Sequence, residues 1–442
     1  MNRLDRLAAL VAAARRAGAD QADAILAESA SLSVQRRLGA LEQLERAESL
    51  DIGLRVFVGQ SQAIISSSET DPAGFARLAE RAVAMARVVP ADPFVGLLEA
   101  RPAPDAGPLD LLDPMEPTAE DLIARAAIAE DAAMAVAGVT NSEGAEAGWS
   151  RLRVAIVNSH GFAGEYARSG HSISASALAG SGTGMERDYD YSSAVFLEDL
   201  EDAALIGRRA GEQAVARLNP KRPATTRIPV VYAPRVSGSL LGHLSSAING
   251  AAVARGTSFL KDSMGKRVLA PGLRVMDDAT RRRGLRSRPF DGEGTPCAAL
   301  ALVEDGILQS WVLDGRSARQ LKLASTGHAS RGTGGPPSPS ASNLWLEAGH
   351  VTPRELMGDI TLGLYITEMI GMGVNGVTGD YSRGAAGFMI RHGELAEPVS
   401  EITVAGKLQD MFLAMYPAND LVFKRGTDAP TLRVDGMTLA GG

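Results

Sequence analysis

Few side chains in this sequence are of a kind that does chemistry. The histidines are His160, His171, His243, His328, His350 and His392. A helical zinc-peptidase site needs two histidines about one turn apart and a glutamate beside them, so that the ligands share a face and a base reaches the metal-bound water. No two of these histidines are that close. A metal site assembled from distant loops stays open, with His160, His171, His243 and carboxylates such as Asp291 as its raw material. His160 and His171 otherwise read as surface or rim residues. The Ser-x-x-Lys pairs Ser258–Lys261 and Ser263–Lys266 lack the companion motifs of a serine acyl-transferase, and there is no Gly-x-Ser-x-Gly elbow. Gly371–Gly376 (GMGVNG) matches a dinucleotide fingerprint, yet Val377–Asp380 after it is poor helix-starting chemistry. Cys297 stands between Pro296 and an apolar run and reads as a small buried hydrophobe.

Any site must be held by the surrounding elements. Leu4, Leu7, Leu10, Val11 and Ala14 recur at helical spacing, which predicts a helix over about 2–17. Alternation at Leu32–Val34 and Ile52–Val58, with a turn before Gln62–Ser68, predicts strands, and a helix follows over about 72–88. Seven prolines between 89 and 117 (Pro90, Pro93, Pro102, Pro104, Pro108, Pro114, Pro117) exclude a regular helix or central strand, so this stretch is an extended connector. Thr118 and Asp121 are placed to cap a helix over about 118–137. Two alternating runs flank the turn Ser159–Gly161 and predict a hairpin, and a helix over about 200–218 ends before Asn219–Pro220. Beyond that break come a short strand at Val230–Tyr232, a helix over Val236–Ala252, and mostly short strands: Leu300–Val303, Trp311–Leu313, Leu344–Leu346, Gly387–Arg391 and Ile402–Val404. Gly332–Ser342 is a low-complexity loop. The expected fold is α+β with two domains. Residues 1–223 form N-terminal helices packed on an antiparallel sheet, with connector 89–117, and 224–442 form a C-terminal β-rich domain.

Composition narrows the function classes. A chain of 442 residues with 45% hydrophobic and 22% charged residues is an ordinary globular protein, and the net charge of −7 argues against a general nucleic-acid binder. The one basic run, Arg281, Arg282, Arg283, Arg286 and Arg288, reads as a solvated loop. A single cysteine rules out an internal disulfide and fits a reducing compartment. No apolar stretch reaches the roughly 18 residues that cross a bilayer, and the N-terminus has charges on both sides of its Ala-rich run, unlike a signal peptide. A cytoplasmic location with no membrane association is the expectation.

Longer stretches carry more. VTGDYSRGAAGFMIRHGE (Val377–Glu394), SRPFDGEG (Ser287–Gly294), STGHASRG (Ser325–Gly332), GTSFLKDSMGKRVLAP (Gly256–Pro271), NSHGFAGEYARSGHSISASALAGSG (Asn158–Gly182) and RDYDYS (Arg187–Ser192) resemble the TldD/PmbA family, in order and over nearly the whole chain. In the family's TldD branch a helix carries His-Glu-x-x-x-His, and a later cysteine completes a zinc site. The matching segment here is Gly238–His243 (GSLLGH): His243 stands at the second histidine, Gly238 at the first, Ser239 at the glutamate. The resemblance is thus to the PmbA (TldE) branch, the partner without the zinc motif.

That resemblance implies a non-catalytic subunit of a heterodimeric TldD–TldE type metallopeptidase that processes unfolded or flexible peptides. This chain then has no catalytic residue, metal or cofactor of its own, zinc belongs to a TldD-like metal-bearing partner, and activity is expected only with that partner. The isolated chain is a monomer or a homodimer, and the resemblance makes a homodimer an option, since a surface built for a related partner can pair with its own copy. The cleft or interface residues it points to are His243, Asp291, His328, Asp380, Tyr381, Ser382 and Arg383, with Asp380–Gly384 taken as an exposed loop. Two other readings stand beside it: an autonomous metallopeptidase with scattered ligands, and a protein-binding modulator, for instance of DNA gyrase.

Overall fold

The computed structural model describes residues 1–441. The N-terminal half is built on one antiparallel sheet of β1 (Gln21–Arg37), β2 (Ala40–Val58), β3 (Ser61–Ser67), β4 (Val139–Asn158), β5 (Ala163–Ala179) and β6 (Glu186–Ala194), in the spatial order β3-β2-β1-β4-β5-β6. Four helices pack on it: α1 (Arg3–Arg16), α2 (Phe75–Ala86), α3 (Ala119–Met134) and α4 (Ala203–Ala216). The alternation along β1 decides the layering, because successive side chains point to opposite faces. Ala22, Ala24 and Leu26 join the core under α1 and α2, while Ala30, Leu32 and Val34 on the same face join the core under α3 and α4. Asp23 and Ile25 point the other way, toward the C-terminal half. The capping box at α3 forms as expected: Asp121 N donates to Thr118 Oγ1 at 3.2 Å and Thr118 N to Asp121 Oδ2 at 2.9 Å. A Cβ at Gly207 or Gly211 would collide with the Ala129 or Ala133 carbonyl, so these glycines let α4 lie close on α3.

The C-terminal half contains β7 (Thr226–Tyr232), α5 (Pro234–Ala247), α6 (Gly250–Ala254), β8 (Val275–Asp278), β9 (Ala299–Glu304), β10 (Ile307–Leu308), α7 (Gly315–Leu321), β11 (Ala329–Ser330), β12 (Ser338–Pro339), β13 (Leu344–Leu346), β14 (Leu362–Ile370), β15 (Asp380–Arg391), β16 (Glu394–Lys407), β17 (Met415–Pro417), β18 (Thr427–Asp428) and β19 (Leu432–Ala440). A six-stranded sheet runs β16-β15-β14-β7-β19-β17, and β16 also pairs with β19. Five of its strands therefore close on themselves, which removes free edges. A second sheet runs β10-β9-β8-β13-β18. Helix α5 packs between the two, its Leu240, Leu241 and Leu244 buried in the core shared with Tyr232, Tyr381 and Met437. The molecule is α+β, as its pattern predicts.

Four local expectations are corrected. The helix over Val236–Ala252 is two helices, because Asn249 leaves the helix and its side chain caps α6 by accepting from Ala251 N at 3.0 Å. Trp311–Leu313 is no strand: Val312 exchanges backbone hydrogen bonds with Ile248 and Gly250 in the break between α5 and α6. Strands β15 and β16 are much longer than the fragments Gly387–Arg391 and Ile402–Val404. Gly384 looks like a turn residue but lies inside β15 close against Ile370, and Gly387 packs against the Tyr365 carbonyl of β14 at an irregularity in the ladder. The arginine run is not a solvated loop. Arg283 pairs with Asp110 at 2.7 Å and Glu198 at 2.6 Å, and Arg281 stacks on Phe423 with its guanidinium 3.3 Å from the ring centroid. It pins the proline-rich connector to the C-terminal half.

Candidate functional site

Helix α5 begins with Pro234 at its first turn, where the missing N–H costs nothing, and it carries the three residues at the positions of the family motif. Gly238 lies against β18: a Cβ there would stand 2.7 Å from the Thr427 carbonyl oxygen. Ser239 donates its hydroxyl to the Val236 carbonyl of its own helix at 2.6 Å. His243 is half-buried with its ring edge-on to Tyr381, centroids 5.8 Å apart, and its Nε2 is buried without a hydrogen-bond partner. Burial, and after it the positive charge of Arg383, push this imidazole down to about 4, so it is neutral at physiological pH. Tyr381 in turn meets Tyr232 hydroxyl to hydroxyl at 3.5 Å. One neutral imidazole set against a tyrosine ring and beside an arginine does not fit a zinc ion. Among the described residues no group of three or more His, Cys, Asp or Glu side chains converges as a metal site would.

The structure brings His243, Tyr381 and Arg383 together and leaves the other sequence-predicted residues elsewhere. Asp380–Gly384 is the start of β15 and not a loop. Asp380 and Ser382 are exposed, Tyr381 is buried, and Arg383 donates from Nε to the Gly371 carbonyl at 2.9 Å, with no carboxylate partner among the described residues. Asp291 is buried and accepts the backbone N–H groups of Glu293, Thr295 and Ala329 at 2.9–3.0 Å, which makes it the staple of a turn. His328 is buried beside Asp277, Nε2 to Oδ1 3.1 Å, and Ser342 donates to the same carboxylate. Asp277 sits between the other two, so the serine is bonded to the carboxylate and not to a base, which is the wrong order for a nucleophile. His171 is buried 3.1 Å from Asp113, not on the surface, whereas His160 is exposed and reaches the Leu98 carbonyl. Cys297 is largely enclosed, with Sγ 3.4 Å from the Gly327 carbonyl, and burial pushes its thiol up to about 12. Ser258 is buried and donates to the Ala247 carbonyl. GMGVNG joins strands β14 and β15, without the helix a phosphate loop needs.

Sequence reasoning missed a cluster of buried charge at the junction of the two halves. Asp23 on β1 receives Arg55 Nε at 3.0 Å and Arg331 at 2.7 Å, and Arg55 also lies 3.8 Å from Glu293. Burial would raise the Asp23 carboxyl, but Arg331 and Arg55 hold it below its ordinary value. Burial outweighs Arg55 at Glu293 and pushes it up to about 7, although it accepts the Gly315 N–H at 2.7 Å. These residues come from four distant segments, so no local spacing announces them. A cavity of about 820 Å³ opens elsewhere, lined in part by Arg274, His350, Tyr416 and Arg433. Both its arginines are already paired, Arg274 with Glu304 and Glu347, Arg433 with Asp359 and Asp435. No helix among the described residues is long and apolar enough to cross a membrane.

This fold and this helix define the chain's class. It matches the PmbA/TldA metallopeptidase domain 1 at residues 22–86, the central domain at 112–218 and the C-terminal domain at 225–441. The chain belongs to the PmbA/TldD family. The metalloprotease PmbA of Escherichia coli O157:H7 is 35% identical over 427 residues, 96% of this chain and 92% of that protein. The PmbA homolog of Haemophilus influenzae is 33% identical, over 97% and 94% of the two chains. TldE from Thermococcus kodakarensis superposes with a TM-score of 0.87 at 18% identity, covering 99% of this chain and all of that one. A Bacteroides thetaiotaomicron protein described as a modulator of DNA gyrase shares the fold at 23% identity, with a TM-score of 0.87 over 99% of this chain and 98% of that one.

Proposed function

We propose that this chain is the non-catalytic subunit of a two-chain metallopeptidase acting on unfolded or flexible peptides, with zinc and the catalytic base on a related TldD-like partner. The observation that carries this reading is α5. Its first motif position is a glycine against a backbone carbonyl, its second a serine bonded to its own helix, and its third a neutral histidine without a polar partner. A catalytic zinc needs about three protein ligands and a water, and the water needs a base. His243 and Arg383 then serve as wall residues of the peptide cleft, backed by the buried Tyr381, and the exposed Asp380 and Ser382 on the opposite face of β15 serve as interface residues. In isolation the chain pairs with its own copy, and it works in the cytoplasm.

The test is hydrolysis of casein by this chain alone and mixed with its TldD-like partner, with zinc measured on the same samples. Activity only in the mixture, and metal only on the partner, is the expected result. One tightly bound zinc per chain with activity in this chain alone overturns the reading. Arg383→Ala is expected to lower the activity or assembly of the mixture, and an unchanged mixture removes Arg383 from the cleft.

A further inference from the structure

The cavity of about 820 Å³ is lined wholly by the C-terminal half, and α5 contributes none of its lining. Its walls are braced by the backbone. Glu347 N donates to the Arg274 carbonyl at 3.0 Å, Gly349 N to the Ala418 carbonyl at 2.8 Å, and Asn419 N to the Val351 carbonyl at 2.8 Å. Glycine is needed at 349, because a Cβ there would stand 2.0 Å from the Pro417 carbonyl oxygen. The short helix α8 (Pro353–Met357), fixed by a Thr352–Glu355 capping box, supplies Glu355 and Leu356 to the lining. A hollow held in this way exists before any ligand arrives, and ligand sites are largely preformed hollows of this size.

The lining has an apolar floor and an acidic rim. Leu273, Leu356 and Met415 are buried in it, whereas Val351, Leu413 and Tyr416 keep 40%, 47% and 50% of their surface exposed. Apolar surface left open in a polar-rimmed hollow is where a partner gains by covering it. The charged lining sets two guanidiniums, Arg274 and Arg433, against four carboxylates, Glu347, Glu355, Asp359 and Asp435. Each guanidinium is already held by two carboxylates. Arg274 bonds Glu304 at 2.7 Å and Glu347 at 2.9 Å, and Arg433 bonds Asp359 at 2.5 Å and Asp435 at 2.7 Å. Each triad therefore carries a net negative charge and has none of the opposite sign to offer an anion. A hollow lined by one sign of charge focuses its field and draws in the other. The two triads stand on different elements, one on the segment before β8 and the other on β19. A ligand that meets both and covers the floor needs separated cations with apolar groups between them. We infer that this cavity is a docking site for a flexible polypeptide segment in which lysine or arginine alternates with apolar side chains. Docking here needs neither zinc nor cleavage, so it does not depend on the peptidase reading.

The probe is a short fluorescein-labelled peptide in which lysine alternates with leucine and phenylalanine, titrated with the full chain and read by fluorescence anisotropy. It is expected to bind at one site per chain, and more weakly as salt rises. The counterpart with glutamate for lysine should not bind. Glu355→Gln removes a charge and keeps the capping box, which accepts glutamine at that position. This variant should weaken binding about threefold, as should Glu347→Gln, which leaves Arg274 with Glu304. Tyr416→Ala should weaken it by about tenfold. If its melting temperature falls, Leu413→Ala at the end of α9 (Leu408–Leu413) carries the same test. Glu80→Gln, which removes an exposed carboxylate on α2, should change nothing. Equal binding of the glutamate peptide overturns the site, as does unchanged binding by Tyr416→Ala and Leu413→Ala. A loss in Glu80→Gln equal to that in Glu355→Gln also overturns it, because the net charge of the chain then explains the binding. Displacement of the peptide by spermidine at matching concentration overturns the polypeptide assignment.

Discussion

Two buried polar clusters can be set side by side. At the junction of the two halves, Asp23, Arg55, Arg331 and Glu293 meet at ion-pair distances, and Asp23 and Arg55 are nearly inaccessible. On α5, in the segment aligned by resemblance with a zinc motif, a lone neutral imidazole leans on a tyrosine ring. The first cluster is rich in charge: Arg55 holds Asp23 within the N-terminal half and Arg331 reaches the same carboxylate across the junction, with its Nε and Nη2 buried without a hydrogen-bond partner. The second is held by packing, with the His243 ring edge-on to Tyr381. Buried charge persists only where partners hold it. The contrast says that this chain keeps ionic precision for the fit of its two halves, and that α5 remains as a packed element of the core.

The sharpest way to break this comparison is to remove the centre of the first cluster. Asp23→Ala leaves Arg55 and Arg331 buried and facing each other, so a loss of about 3–5 kcal/mol in chemical denaturation is expected. A loss under about 1 kcal/mol would mean that water reaches the junction. Next comes an attempt to rebuild the second cluster. Gly238→His puts a side chain against the Thr427 carbonyl, and a cost of about 1–3 kcal/mol is expected from overpacking, without gain of bound zinc. A stable variant that takes up zinc would show that α5 can shift back toward a metal site.

A smaller effect lies in Glu293. Its folded carboxyl titrates near 7, above the ordinary 4.5. Between those values the folded chain holds a proton that the unfolded chain releases, so stability falls as pH rises through that window. Glu293→Gln stays neutral and keeps an acceptor for Gly315 N–H. It should be more stable than wild type at pH 8 by about 1–2 kcal/mol, and the difference should vanish near pH 4.5. Equal stability at both pH values would place the Glu293 carboxyl in its ordinary range.

The comparison also explains what the sequence could and could not reveal. Helices α1 to α4 are legible because each carries an apolar face, and α3 because Thr118 and Asp121 sit at capping distance. The hairpin of β4 and β5 shows in the strict alternation of Ile173 to Ala179. The C-terminal strands are harder, since glycines at close strand contacts, such as Gly384 against Ile370, imitate turns. Of the candidate site, His243, Tyr381 and Arg383 were traced by resemblance, as neither spacing nor composition marks them. Asp291 and His328 were drawn in by the same route, yet their chemistry is structural: the one ties a turn, the other rests on a buried carboxylate. The junction cluster escaped because Arg331 stands 308 residues from Asp23, and only the fold unites the two.

The smallest predicted effect probes the second cluster directly. His243 is depressed to about 4 from an ordinary 6.5, by burial first and by Arg383 second. In the window between these values the unfolded chain binds a proton that the folded chain refuses, so this histidine withdraws stability as pH falls from 6.5 toward 4. His243→Phe keeps an aromatic edge against Tyr381 and removes the unpartnered Nε2. At pH 7, where both side chains are neutral, the variant should lie within about 1 kcal/mol of wild type, because loss of an unsatisfied polar atom offsets imperfect packing. At pH 5 it should be the more stable of the two. Imidazole resonances followed by NMR give the direct reading: a midpoint near 4 keeps His243 as a packed wall residue, whereas a midpoint near 6.5 means that water reaches the ring and that α5 is more open than its packing indicates.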